Sequence, residues 1–117
     1  MVKLICFLKR KPGMSVQEFQ TYWREHHGPL VASTKSGRHA IRYEQNHRAS
    51  EAQEHLGAAD FDGVTVQWFE SVAAFEASLR EDDYADIAAD IGRFLDVDRL
   101  VWMLTDDAEV VWDSRAP

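Results

Sequence analysis

At 117 residues the chain is long enough to bury one hydrophobic core and too short for two, so a single domain over residues 1–117 is expected. A composition of 45% hydrophobic and 28% charged residues is that of a soluble globule. The net charge of −7 argues against nucleic acid or an anionic membrane as partner, and the short basic run from Lys9 to Lys11 is too small to reverse that balance.

The chain opens on VKLICFLKR, a run of high strand propensity stopped by Lys11-Pro12-Gly13. Its apolar part is too short for a signal-peptide core, and no run elsewhere reaches the roughly 18 residues of a membrane span. Cys6, the sole cysteine, rules out an internal disulfide and fits inert core in a reducing compartment. A cytoplasmic location is expected.

A helix starts next. Ser15 and Glu18 have the spacing of a capping box, with Met14 and Phe19 placed as a hydrophobic staple. At about 100° per residue Phe19, Trp23, His26 and Leu30 share one face, with Tyr22 and His27 on its flanks. Gly28-Pro29 should end this helix near His27. STKSGR then reads as a loop, His39 to His47 as a second strand, and Arg48 to Asp62 as a long excursion without a clean period.

GVTVQWFE is a strong third strand. SVAAFEASL and DDYADIAADIGRFL are helical, with Ser71 and Asp82 as caps and a break near Glu81. RLVWMLTDDAEVVWD reads as strand, acidic turn, strand. The order β-α-β-β-α-β is that of the α+β, ferredoxin-like fold, an antiparallel sheet with its helices on one face. Yet both alternating sets of the first strand are partly apolar: Leu4, Cys6 and Leu8 on one side, Ile5 and Phe7 on the other. A sheet covered on one face only should alternate more cleanly. The expected cover is a second copy, giving a homodimer through the sheet face with an enclosed cavity.

Three stretches resemble a known family. LKRKPGMSVQEFQTYWREHHGPLV is similar to the opening of EthD-domain proteins, whose helix ends in His-Gly/Ala-Pro-Leu. FDGVTVQWFESVAAFEASL resembles that family's third strand and second helix, and DIGRFLD its acidic-Phe-Asp segment. Together they span nearly the whole chain apart from Arg48 to Ala59. The resemblance implies a dimeric α+β barrel. Similar barrels carry out isomerisation, cyclisation, decarboxylation or cofactor-free oxygenation of small phenolic, lactone or polyketide-like molecules.

The family pattern selects His27, which at a helix end near an apolar cavity could shuttle a proton. The competing reading is an imidazolium that stabilises the helix dipole, worth about 0.3–1 kcal/mol. His26 sits nearer the middle of the apolar face and is either a polar group added to the cavity or a core histidine bonded to backbone. Tyr22, Tyr43 and Trp68 are candidates to orient an oxygenated ligand, Tyr43 or Tyr22 as donor to a developing enolate or phenolate, against plain core packing. Arg42 is either the partner of a substrate carboxylate or half of a surface ion pair with Glu44 or Glu70.

Metal binding finds little support. Adjacent histidines on a helix point about 100° apart, unlike an i, i+4 pair, and His39, His47 and His55 with Asp60 or Asp62 make no recognisable ligand spacing. Neither a haem-attachment motif, a phosphate loop nor a Gly-x-Ser-x-Gly elbow is present. The expectation is a cofactor-independent enzyme acting by proton transfer on a small hydrophobic or phenolic ligand. The alternative is a non-catalytic dimeric accessory protein that binds such a molecule.

Overall fold

The computed structural model describes residues 1–49 and 55–115. Four strands, β1 (Val2–Leu8), β2 (Arg42–His47), β3 (Gly63–Phe69) and β4 (Val101–Thr105), form one sheet in the order β2-β3-β1-β4. Every neighbouring pair is antiparallel. With helices between β1 and β2 and between β3 and β4, this is the ferredoxin-like α+β fold.

The first crossover begins as its residues dictate. Gly13, at φ +86°, follows Pro12 in a turn closed by the Met14 N–H on the Lys11 carbonyl at 3.1 Å. Helix α1 (Val16–Tyr22) then starts on the Ser15–Glu18 capping box, in which each residue satisfies the other's backbone N–H at 3.0 Å.

The helix does not end at Gly28-Pro29. The segment Trp23–His27 is a π-turn in which the Gly28 N–H reaches the Trp23 carbonyl, five residues back. Helix α2 (Gly28–Ser33) follows directly and takes Pro29 in its first turn, where a missing N–H is tolerated. The stretch read as a loop contains α3 (Lys35–Arg38), capped by Thr34, whose hydroxyl accepts from the Gly37 N–H at 2.9 Å. Gly37 is required there, because a Cβ would lie 2.0 Å from the Val31 carbonyl oxygen.

In the second crossover, α4 (Val72–Leu79) is capped by Ser71. The next helix, α5 (Tyr84–Phe94), begins after Asp83 rather than Asp82. The Asp83 carboxylate is committed elsewhere, accepting the Lys35 and Ser36 backbone N–H groups at 2.7 and 3.0 Å and tying the two crossovers together. After β4, Glu109–Asp113 forms no strand: Val110, Val111 and Trp112 stand 73%, 87% and 80% exposed. Strand propensity in EVVWD lacks a neighbouring ladder to complete it. The excursion from Arg48 to Asp62 lies partly outside the described residues.

Leu8, Phe19, Trp23, Phe94 and Leu95 form the core between sheet and helices. Gly63 lets this core close, since a Cβ there would sit 2.5 Å from the Trp23 ring. At the head of β3 the fully buried Asp62 accepts from the Arg10 backbone N–H at 2.8 Å and from the Arg10 and Arg48 guanidinium groups at 2.7 and 3.1 Å. The opposite face of the sheet carries Ile5, Phe7, Val64, Val66, Val101 and Met103 in register across β3, β1 and β4. Phe7, Val101 and Met103 on it are 37%, 53% and 56% exposed.

Candidate active site

A cavity of ≈ 280 Å³ lies between the helices and the inner face of the sheet. It sits on the side of the sheet away from the apolar outer face. Small side chains at Ser36, Gly37, Thr65 and Ser78 leave this space where larger ones would fill it. Leu4, Leu8, Val31, Phe69, Ile87 and Phe94 make most of it apolar, while His27, Tyr43, Gln67 and Tyr84 supply polar groups.

The π-turn decides which histidine reaches the cavity. It absorbs one residue, rotating everything after it back by about one helical position, or about 100°. His27 and Val31 therefore occupy the places that an unbroken wheel assigns to His26 and Leu30. Phe19, Trp23, His27 and Val31 are all buried, whereas His26 is exposed and its ring stacks on Tyr22 at 5.0 Å. His26 does not line the cavity.

His27 is 7% exposed, and its Nδ1 lies 2.7 Å from Oδ2 of the buried Asp90. Burial pulls the His27 pKa below its ordinary value, and the Asp90 carboxylate only partly opposes this. For Asp90, burial pushes the other way, but hydrogen bonds from Tyr22, His27 and Arg93 and the electrostatic attraction of His27 together hold the carboxyl below the usual range. The pair at neutral pH is thus a neutral imidazole donating Nδ1–H to a carboxylate. Nε2 forms no hydrogen bond among the described residues, which leaves its lone pair available.

Asp90 is positioned in turn. The Tyr22 O–H donates to its Oδ1 at 2.5 Å, and Arg93 lies 3.3 Å from the same oxygen. That bond raises the Tyr22 pKa, burial adding to it. Tyr22 therefore supports the carboxylate from outside the cavity lining. The family-like stretch DIGRFLD contains Asp90, but sequence reasoning did not single it out. The available signal was an acid on the apolar stripe of α5, between Ile87 and Phe94, where the buried positions of that helix fall.

Tyr43 lines the cavity as expected of one strand aromatic, and burial raises its pKa, with Gln45 and Trp23 opposing. It stays a phenol, able to donate. The Gln45 amide donates to the Trp23 carbonyl at 2.7 Å and approaches the Tyr43 oxygen at 3.4 Å, linking β2 to the π-turn. The buried Trp23 indole N–H has no hydrogen-bond partner among the described residues.

Trp68 falls on the outer face, with the Arg42 guanidinium 5.5 Å over its ring. Arg42 is held by Glu44, two of its nitrogens lying 2.6 and 2.9 Å from one carboxylate oxygen, so the ion-pair reading applies. Cys6 reaches the cavity, but burial pushes its thiol up to about 11, which keeps it protonated and unreactive. Among the described residues no group of three or more His, Cys, Asp or Glu side chains is arranged to hold a metal. His39 is bonded to Glu81 at 3.0 Å. None of the described helices is long and apolar enough to cross a membrane.

Comparison with known proteins places this chain in a family. Residues 11–98 match the model of the EthD domain. No match is found among curated proteins. Among solved structures the chain is similar to an EthD family protein from Bacillus halodurans, at 18% identity and a TM-score of 0.71, over 92% of this chain and 99% of that one. It is also similar to a hydroxynitrile lyase from Passiflora edulis, at 18% identity and a TM-score of 0.70, over 93% and 94% of the two chains. A third is SnoaB from Streptomyces nogalater, a cofactor-independent oxygenase, at 12% identity and a TM-score of 0.63, over 96% and 97%. At these identities the likeness establishes the fold.

Proposed function

The chain belongs to the EthD domain family, and from that premise we propose that it is a cofactor-independent enzyme acting by proton transfer on a small aromatic, lactone or polyketide-like substrate held in the helix-side cavity. The observation that carries this reading is the buried His27–Asp90 pair, whose histidine lines an apolar cavity and whose second ring nitrogen forms no hydrogen bond among the described residues. A histidine serving only as a core hydrogen-bonding group would not need that nitrogen free. A lyase and a cofactor-independent oxygenase among proteins of the same fold lend it support.

In this mechanism Nε2 of His27 takes a proton from an acidified carbon or hydroxyl of the substrate, and the imidazolium so formed is stabilised by Asp90. The Tyr43 O–H donates a hydrogen bond to the oxygen on which negative charge develops. The proton then returns from Nε2 to a different carbon of the same molecule, giving isomerisation. For ring closure the carbanion instead attacks a carbonyl carbon of the same molecule, the C=O π bond breaks, and Nε2 returns the proton to the alkoxide oxygen so formed. If carbon dioxide has left, the proton goes to the carbon that bore it. Each case balances without an added oxidant or reductant. The apolar walls exclude water and strengthen both interactions.

The same reading pairs two copies through the outer sheet face, where Ile5, Phe7, Val66 and Met103 would be buried. The test is turnover of a panel of phenolics, lactones and polyketide mimics by wild type and His27→Ala, with ligand affinity measured on both. Turnover lost in the variant with affinity kept within a few-fold supports the enzyme. Compounds bound unchanged by the wild type would make the protein a dimeric binding or accessory module instead.

A further inference from the structure

A second recess opens beside the cavity, beyond Tyr43. It measures ≈ 370 Å³, and Arg24, Arg38 and Arg42 all lie on its wall. Tyr43, Val31 and Gly37 line both spaces, so the recess and the cavity share a wall built by β2 and the α2–α3 junction.

The three arginines are not equivalent. Arg42 is neutralised by Glu44. Arg38 donates Nε to the Ala32 carbonyl at 2.7 Å, which fixes the plane of its guanidinium and leaves the two terminal nitrogens available. Arg24 is exposed and, among the described residues, forms no ion pair. No described aspartate or glutamate lines the recess. A chain of net charge −7 therefore presents a locally cationic pocket directly beside its apolar cavity.

Uncompensated arginines around a concave site, in a protein that is otherwise anionic, favour an anion. Planar guanidinium forks suit a carboxylate in particular. We propose that Arg24 and Arg38 bind a carboxylate carried by the substrate, so that the ligand is a phenolic or enolisable carboxylic acid whose reactive ring enters the cavity past Tyr43. The proposal rests on the reading that the cavity holds the substrate, and it narrows the substrate class. It also reassigns the carboxylate partner: Arg42 looked like the candidate in sequence, but Glu44 occupies it.

The experiment uses the full chain and two probes that differ only by the carboxylate, para-ethylphenol and para-hydroxyphenylpropionate. Affinities are measured by calorimetry on wild type and on the Arg24→Gln/Arg38→Gln double variant. Wild type should bind the acid about tenfold more tightly than the neutral phenol at low salt, the gap shrinking as salt is raised. In the double variant the gap should vanish while para-ethylphenol binds as before. Equal affinity for the two probes in wild type, or a preference that survives in the double variant, overturns the carboxylate site and leaves the proton-transfer reading standing. Failure of wild type to bind either probe overturns both.

Discussion

A histidine that acts as a base near neutral pH must be uncharged and must hold its other proton on the correct nitrogen, and His27 meets these conditions through different neighbours. Burial keeps the ring neutral, and Asp90 fixes the proton on Nδ1. Asp90→Asn should therefore cost about 10²–10⁴-fold in kcat with ligand affinity little changed, because an amide can equally offer a donor and favour the wrong tautomer. Tyr22→Phe should cost less, since it removes only one support of that carboxylate. The pH dependence has a defined sign. With the folded-state pKa depressed, the active neutral form persists below the ordinary histidine value, so the acid limb of kcat/KM should lie below about 6.5. Stability should follow the same direction: the unfolded chain binds the proton more readily, so the denaturation midpoint should fall as pH drops from about 7 towards 5. His47, also depressed by burial and by Arg24, contributes in the same window, and His27→Gln should flatten only part of the slope. At this scale the sequence was partly legible. The family pattern picked out His27, but Asp90 lies 63 residues away in the chain and no local spacing joins the two.

Elements were read well where local chemistry decides them and poorly where packing does. The Ser15–Glu18 box, the Pro12-Gly13 turn and the Ser71 cap all satisfy backbone groups within a few residues, and each stands where its residues indicate. Gly28-Pro29 misled because a Gly-Pro pair usually stops a helix, whereas the π-turn supplies a geometry in which both residues continue it. That turn is tied down from outside by the Gln45 amide on the Trp23 carbonyl. Tertiary contact here outweighs local preference. Gly63→Ala should test how tightly this layer is packed. Its Cβ would press a fully buried indole held between Phe19 and His47, and a loss of about 1–3 kcal/mol is expected in a denaturation curve. The cavity wall formed by Trp23 should shift with it.

For the molecule as a whole, an apolar pattern on both sheet faces is legible in the residue alternation of β1 and β4 alone. What that pattern could not say was which face holds the cavity, because the empty space depends on small residues from separate segments, Ser36 and Gly37 on α3 with Thr65 on β3 and Ser78 on α4. The outer face remains the surface on which the dimer reading can fail. Met103→Glu puts a charge on it, on the edge strand β4 opposite Ile5, at a position 56% exposed in the single chain. On the dimer reading, sedimentation should show wild type as a dimer and this variant as a monomer with unchanged far-ultraviolet dichroism; a wild type that sediments as a monomer sinks that reading.

The π-turn also bears on how chain length and site identity are related in this fold. A helix that has swallowed one extra residue can give it back. Deletion of the exposed His26 should let the segment from Trp23 to Gly28 close as ordinary α-helix while Phe19, Trp23, His27 and Val31 keep their common face. Such a shortening, ruinous in most buried helices, is expected here to leave the melting temperature nearly unchanged. Comparison of this chain with an unbroken-helix homologue accordingly needs a one-residue gap ahead of Gly28. Without it, the cavity-lining position of His27 would be credited to His26.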